Sequence, residues 1–169
     1  MNQQGGLTLL TAAMVAIVAS ANYLVQFPVN EWLTWGALTY PISYFVTDLT
    51  NRWYGSELAR RVVYVGFVLA VILSVWLASP RIALASGTAF LVSQLMDVAI
   101  FNRLREHSWW RAPLISSVLG SLVDTALFFA LAFYGTDLPW VTLASGDYAV
   151  KVAIAGMMLG PYRMLVARG

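Results

Sequence analysis

Gln94 and Asp97 stand three residues apart in an otherwise apolar run, Phe90–Phe101, FLVSQLMDVAIF. On a helix that spacing puts both side chains on one face. A carboxylate in hydrocarbon costs roughly 2.5–3.5 kcal/mol on insertion scales, so acids within spans mark substrate or ion paths more than packing. The run has an echo. SQLMDVAIF at 93–101 aligns without gaps with GSLVDTALF at 120–128, matching Asp97 to Asp124, Ala99 to Ala126 and Phe101 to Phe128. Two such helices, facing each other, are expected to hold something polar between them. In the second, Ser117, Ser121 and Asp124 are spaced by four and three and make one polar stripe. Gly120 lies beside that stripe and permits close approach of a neighbour.

Other polar residues carry two readings each. Asp97, near the end of its helix, is either a ligand group or a headgroup carboxylate paired with Arg103 or Arg105. Asp48 has Arg52 four residues on, which a surface ion pair would explain. Lys151 follows Asp147 by four, the spacing of a simple helix pair, and its stem could snorkel outward. Asn22 is either a ligand or a helix–helix hydrogen bond, and Gly156-xxx-Gly160 is a small-residue packing pattern. Tyr40, Tyr44, Phe45 and Phe128 are packing residues, or the faces on which a planar ligand stacks. Catalysis finds little support. The chain has no cysteine and a single histidine, His107, and no acid sits in a Tyr-Asp or Gly-x-Gly-Asp context. No nucleotide-binding Walker pattern occurs. No enzyme activity, cofactor or metal is expected.

The elements that must position these residues are membrane spans. Of 169 residues 60% are hydrophobic and 11% charged, and the mean hydropathy is +0.72. A soluble domain carries about twice that share of charge. The expectation is an all-α integral membrane protein, one domain over residues 1–169, a bundle of six transmembrane helices. They are placed at about 7–27, 33–50, 62–78, 82–101, 113–134 and 147–166, each near the roughly 20 residues that cross a bilayer core. Leu9–Val18 resembles a signal-peptide core and Ala19-Ser20-Ala21 a cleavage pattern, but no Lys or Arg precedes them and the apolar run starts at Leu7, so the stretch is read as the first span. Gly36 and Pro41 interrupt the second helix. Polar loops are expected at 51–61, 102–111 and 135–146. Arg52, Arg60, Arg61, Arg103, Arg105, Arg111, Arg163 and Arg168 gather on one side and Arg81 alone on the other, which predicts cytoplasmic N- and C-termini. Trp32, Trp35, Trp53, Trp76, Trp109, Trp110 and Trp140 fall near helix ends, as an interfacial belt does. No basic run suggests nucleic acid; the lipid bilayer is the surrounding partner. Asp124 lies roughly 17 Å from the cytoplasmic end, and Asp97 about 10 Å away from it along the axis. Two acids so offset suit a flat ligand between them better than a shared proton.

The runs ANYLVQFP, LTWGALTYPISYFVTDLTNRWYG, FLVSQLMDVAIF and LGSLVDTALFFALAF resemble the bacterial queuosine precursor transporter family, also called the vitamin uptake transporter family. The likeness covers the first, second, fourth and fifth helices and extends to Lys151 and Pro161 in the sixth. It implies import of 7-cyano- and 7-aminomethyl-7-deazaguanine across the inner membrane for tRNA modification. It also implies kinship to the binding subunits of energy-coupling-factor transporters, and a homodimer. A deazaguanine offers two N–H donors on one edge, which a carboxylate accepts in a bidentate pair. On this reading Asp97 or Asp124 takes that edge and Gln94, Asn22 or Lys151 serves the neighbouring polar atoms. Tyr40, Tyr44, Phe45 and Phe128 supply flat faces, and Asp48 shapes a cytoplasmic gate. The alternatives are a binding subunit that needs an external ATPase, and a membrane assembly protein with buried polar contacts.

Overall fold

The computed structural model describes residues 3–24, 27–30, 33–77 and 79–167. Glu31, Trp32 and Arg168 therefore lie outside the described residues. Helix α1, Gln3–Leu24, buries Leu10, Met14, Val18 and Ala21, a single face at helical spacing. That face packs on a later helix, α4 (Ser56–Leu77). Gly66 of α4 permits the approach: a Cβ there would lie 3.0 Å from Met14 and 3.1 Å from the Phe90 ring. A small antiparallel pair, β1 (Pro28–Asn30) with β2 (Leu33–Thr34), follows α1, so residues 33–34 are strand and not the start of the second helix expected at 33–50.

The expected second span divides into α2, Trp35–Thr39, and α3, Ile42–Tyr54. Pro41 sits at the break, where its missing N–H and fixed φ start a new helix. The expected loop at 51–61 is corrected: α3 runs on to Tyr54, a single Gly55 at φ 85° turns the chain, and α4 begins at once. Residues that looked solvated are used as caps. Asn51 Nδ2 donates to the Val98 carbonyl (3.0 Å), and Arg52 to the Arg105 carbonyl (2.8 Å). Arg105 returns the contact, donating to the Asn51 and Arg52 carbonyls at 2.9 Å each. This reciprocal clamp satisfies orphan carbonyls at two helix ends. Helix α4 presents Tyr64, Val65, Val68, Val71 and Ile72 outward, an apolar exterior.

Helix α5, Pro80–Leu104, starts on Ser79, whose hydroxyl accepts from the Ile82 N–H, with Pro80 in the first position. These are favoured start residues. Helix α6, Arg111–Phe133, ends before Gly135 at φ 78°. Arg81 of α5 donates to the Leu131 and Tyr134 carbonyls at that end. The pairing of α5 with α6 is the most extensive in the bundle, as the echoed segments led one to expect. The last helix, α7, is Trp140–Val166. It starts just after Pro139, seven residues before the predicted Asp147, so the expected loop at 135–146 shrinks to its first half. Asp147 thereby lies two turns inside a helix. Among the described residues four helices are long and apolar enough to cross a membrane: Gln4–Leu24, Pro80–Leu104, Arg111–Phe133 and Trp140–Val166. In α4 the first turns carry Glu57, Arg60 and Arg61, and α3 is a short helix of 13 residues.

Candidate functional site

Helices α3, α5, α6 and α7 meet around a chain of polar side chains in an otherwise apolar bundle. Two acids stand next to each other on its α3–α5 side. Asp48, 2% exposed, accepts from the Ser116 hydroxyl through Oδ1 and from Ser117 through Oδ2, each at 3.1 Å. Asp97 is fully buried, and neither of its carboxyl oxygens has a hydrogen-bond partner among the described residues. Its polar neighbours are the Asp48 carboxyl and the Ser116 hydroxyl. The expected partners are elsewhere: Arg52 and Arg105 are spent on backbone carbonyls. Neither the Asp48–Arg52 surface pair nor an Asp97–Arg105 pair forms.

On the α7 side Lys151 lies between two acids. Its ammonium is 2.7 Å from Asp124 Oδ2, 2.6 Å from Asp147 Oδ2 and 3.1 Å from Thr125 Oγ1. An ammonium has three donors, so all are used. Thr125 donates to Asp147 at 2.7 Å. Asp124 Oδ1 accepts from the Tyr40 hydroxyl at 3.0 Å and lies 3.3 Å from the Ser93 hydroxyl. The ammonium also sits 5.4 Å from the centre of the Tyr40 ring, within range of a cation–π contact. Lys151 thus makes both the local pair its spacing suggested and a pair across the bundle.

Between these clusters, Gln94 bridges to α3. Its Nε2 donates to Ser43 (2.8 Å) and its Oε1 accepts from Thr47 (2.7 Å). Tyr44 donates to Ser93 at 2.9 Å. Gly120 makes room for this: a Cβ there would be 2.9 Å from the Tyr44 ring and 3.4 Å from both Asp97 Cβ and the Ser93 carbonyl. The contacts Ser93–Asp124 and Asp97–Gly120 fix an antiparallel register. Asp97 is one turn along α5 from Ser93, so the axial offset between Asp97 and Asp124 is about 6 Å, smaller than the spans alone suggested.

A cavity lies between α3, α6 and α7, walled by Tyr44, Phe45, Asp48, Ser121, Lys151 and Tyr162, with Met158 and Leu159 closing it. Its volume is about 10 Å³, room for about one water, so the site is shut in this conformation. Ser121 lines it and makes no hydrogen bond to another described residue. Of the predicted residues, Tyr40, Tyr44, Phe45, Asp48, Gln94, Asp97, Asp124 and Lys151 come together in this polar centre. Asn22 and Phe128 do not. Asn22 donates to the Val18 carbonyl at 2.9 Å and accepts from Ser74 of α4 at 3.5 Å. Phe128 packs edge-on with Phe129 and Phe133. Sequence reasoning missed Asp147 as a buried anchor and Tyr162 as a wall. Asp147 was visible as the residue four before Lys151, but Tyr162 carries no signal beyond following Pro161. Among the described residues no cluster of three or more metal-ligating side chains occurs.

An α-helical bundle with several spans and a closed polar centre holding four acids and one lysine is the build of a membrane transporter. The chain matches the family described as "Putative vitamin uptake transporter" over residues 34–79 and 73–165, and it belongs to that family. It is 34% identical to the "Probable queuosine precursor transporter" of Haemophilus influenzae, over 87% of this chain and 80% of that protein. It is 35% identical to the "Queuosine precursor transporter" of Escherichia coli K12, over 82% of this chain and 76% of the relative. A Bacillus subtilis relative, also named a probable queuosine precursor transporter, is 28% identical over 76% of this chain and 69% of its own length. No solved structure matches the chain.

Proposed function

We propose that this protein imports queuosine precursors, 7-cyano- or 7-aminomethyl-7-deazaguanine, across the bacterial inner membrane. It does so as one transmembrane domain of six spans, with α2 and α3 together making the second. The Arg52–Arg105 end of the bundle, which also gathers Arg60, Arg61, Arg103, Arg111 and Arg163, faces the cytoplasm. The substrate class is supported by the names of the relatives. The site is carried by Asp48. It is a buried carboxylate, oriented by two serines, on the wall of a cavity whose other walls are aromatic and aliphatic.

The chemistry fits a guanine-like ring. Asp48 accepts the two N–H groups of one edge, because its serine contacts leave lone pairs unused. The Ser121 hydroxyl donates to the ring carbonyl, and Tyr44, Phe45 and Tyr162 cover the flat faces. Asp124 and Lys151 are saturated by each other and by their neighbours, so they hold the wall rather than read the base. Admission of a base requires α7 to part from α3 and α6, since the cavity holds about one water. The test is thermal stabilisation of the purified protein by purine and deazapurine bases. A base at 100 times its dissociation constant adds about 2.7 kcal/mol of stability. That shift is expected for the two queuosine precursors and absent from Asp48→Asn. Equal stabilisation of wild type and Asp48→Asn would remove Asp48 from the site. Uptake by this chain alone in proteoliposomes excludes dependence on an external ATPase.

A further inference from the structure

Asp97 has no task in the base site just described. It comes from α5, which contributes nothing to the cavity wall, yet it is completely buried, with both carboxyl oxygens unpartnered beside Asp48. Two adjacent carboxylates away from water cannot both stay ionised without a cation between them. The groups facing the pair supply none. From α3 come Tyr44 and Arg52, from α6 the Ser116 and Ser117 hydroxyls, from α7 Tyr162. Arg52 on α3 and Arg105 beyond the end of α5 donate to backbone carbonyls. Lys151 is held by Asp124 and Asp147. The ionisable residues of α4, namely Glu57, Arg60, Arg61 and Tyr64, lie partly or largely exposed on its outer side.

We infer that Asp97 and Asp48 together bind one proton, and that this proton moves inward with each base; the inference rests on the import reading above. The hydrogen bonds assign the places. Both serine donors point at Asp48, which is therefore the carboxylate prepared to stay charged and to accept the N–H edge of the base. Neither oxygen of Asp97 takes a hydrogen bond from a described residue, and Asp97 is the member that carries the proton. Taking up a proton on Asp97 from outside lets Asp48 stand as the single negative charge that a base needs. Opening toward the Arg52–Arg105 end releases base and proton together into water, and the empty carrier returns without the proton, with Asp48 held by its two serines and turned away from Asp97. The pair is a proton-binding site placed behind the base site, one residue away from it.

The experiment uses the full chain in proteoliposomes with a trapped pH dye and a labelled deazaguanine base. Counterflow, exchange of labelled for unlabelled base with no gradient, reports whether the base is carried at all. Wild type is expected to show counterflow and to acidify the lumen when base is added. With a one-unit pH gradient, acid outside, it should accumulate base roughly tenfold, the value for one proton per base. A protonophore should abolish this, and replacing sodium by choline should not. Asp97→Asn should keep counterflow and lose both acidification and accumulation, while Asp97→Glu keeps them. Counterflow in wild type with accumulation that ignores the protonophore, or that follows sodium, would overturn the inference and leave import standing. So would loss of counterflow in an Asp97→Asn protein that melts like wild type, because Asp97 would then contact the base. No counterflow in wild type would overturn the import reading and the inference with it. The wild-type measurements decide the question even where the Asn variant fails to fold.

Discussion

Replacing Lys151 by methionine removes the cation between Asp124 and Asp147 while keeping most of the side-chain volume. Three hydrogen bonds are lost, at 2.7, 2.6 and 3.1 Å. Hydrogen bonds inside membrane proteins average about 0.6 kcal/mol and reach about 1.7, which gives roughly 2–5 kcal/mol for three. Breaking a buried ion pair by deleting one partner costs about 3–5 kcal/mol, because the remaining charge is left uncompensated. The two routes converge on about 3–5 kcal/mol. For a chain of this size that lowers the melting temperature by about 6–20 °C. Unfolding in detergent micelles, followed by tryptophan fluorescence, measures it. The same reasoning predicts rescue: Lys151→Met combined with Asp124→Asn and Asp147→Asn has no orphaned charge and should regain most of the loss. Tyr40, Ser93 and Thr125 remain to bond the amides. A single variant melting within 2 °C of wild type, or a triple variant no more stable than the single, would refute this account.

Two further outcomes follow from close contacts and caps. Gly120→Ala puts a methyl 2.9 Å from the Tyr44 ring and should cost about 1–3 kcal/mol by overpacking, whereas Gly160→Ala, with nothing within 4 Å, should change stability by no more than about 0.5 kcal/mol. Melting of the two variants side by side checks both. Arg105→Ala leaves the Asn51 and Arg52 carbonyls without their side-chain donor. At about 0.5–1.5 kcal/mol per bond, amide exchange over the last turn of α3 should quicken by up to about tenfold per bond lost, as read by hydrogen–deuterium exchange.

The polar pattern was legible because it obeys helix geometry. Gln94 with Asp97, and Ser117 with Ser121 and Asp124, share faces by spacing alone, and Pro41 breaks its helix wherever it is placed. What the spacing does not carry is which helix comes to meet each face. Asp48 looked like a partner for Arg52 because i,i+4 is the nearest option in the sequence. In the folded bundle Arg52 turns to the end of α5, where carbonyls lack partners, and Asp48 is left to serines of α6. The loops expected at 51–61 and 135–146 failed for a related reason. Polar residues at a helix end can cap a neighbour instead of meeting water, so polarity marked the ends of spans rather than the ends of helices. The pairing of Asp147 with Lys151 was visible, but its burial was hidden by the second of these errors, and Tyr162 was hidden by belonging to no polar pattern at all.

The echoed segments acquire a geometric meaning from the register of α5 against α6. Residues 27 apart in sequence take matching places across the antiparallel pair, with Leu95 level with Leu122 between the two contacts, a small inverted repeat within one hairpin of helices. Exchanging the two copies turns the contact of Ser93 with Asp124 into the contact of Gly120 with Asp97. The match fails at this contact: a serine hydroxyl faces one acid and a bare glycine faces the other. The glycine gives its space to the Tyr44 ring, and the acid opposite it loses the donor its twin retains. The difference between Ser93 and Gly120 in two copies of one motif thus helps to divide their labour, leaving one aspartate locked into the scaffold and the other chemically open.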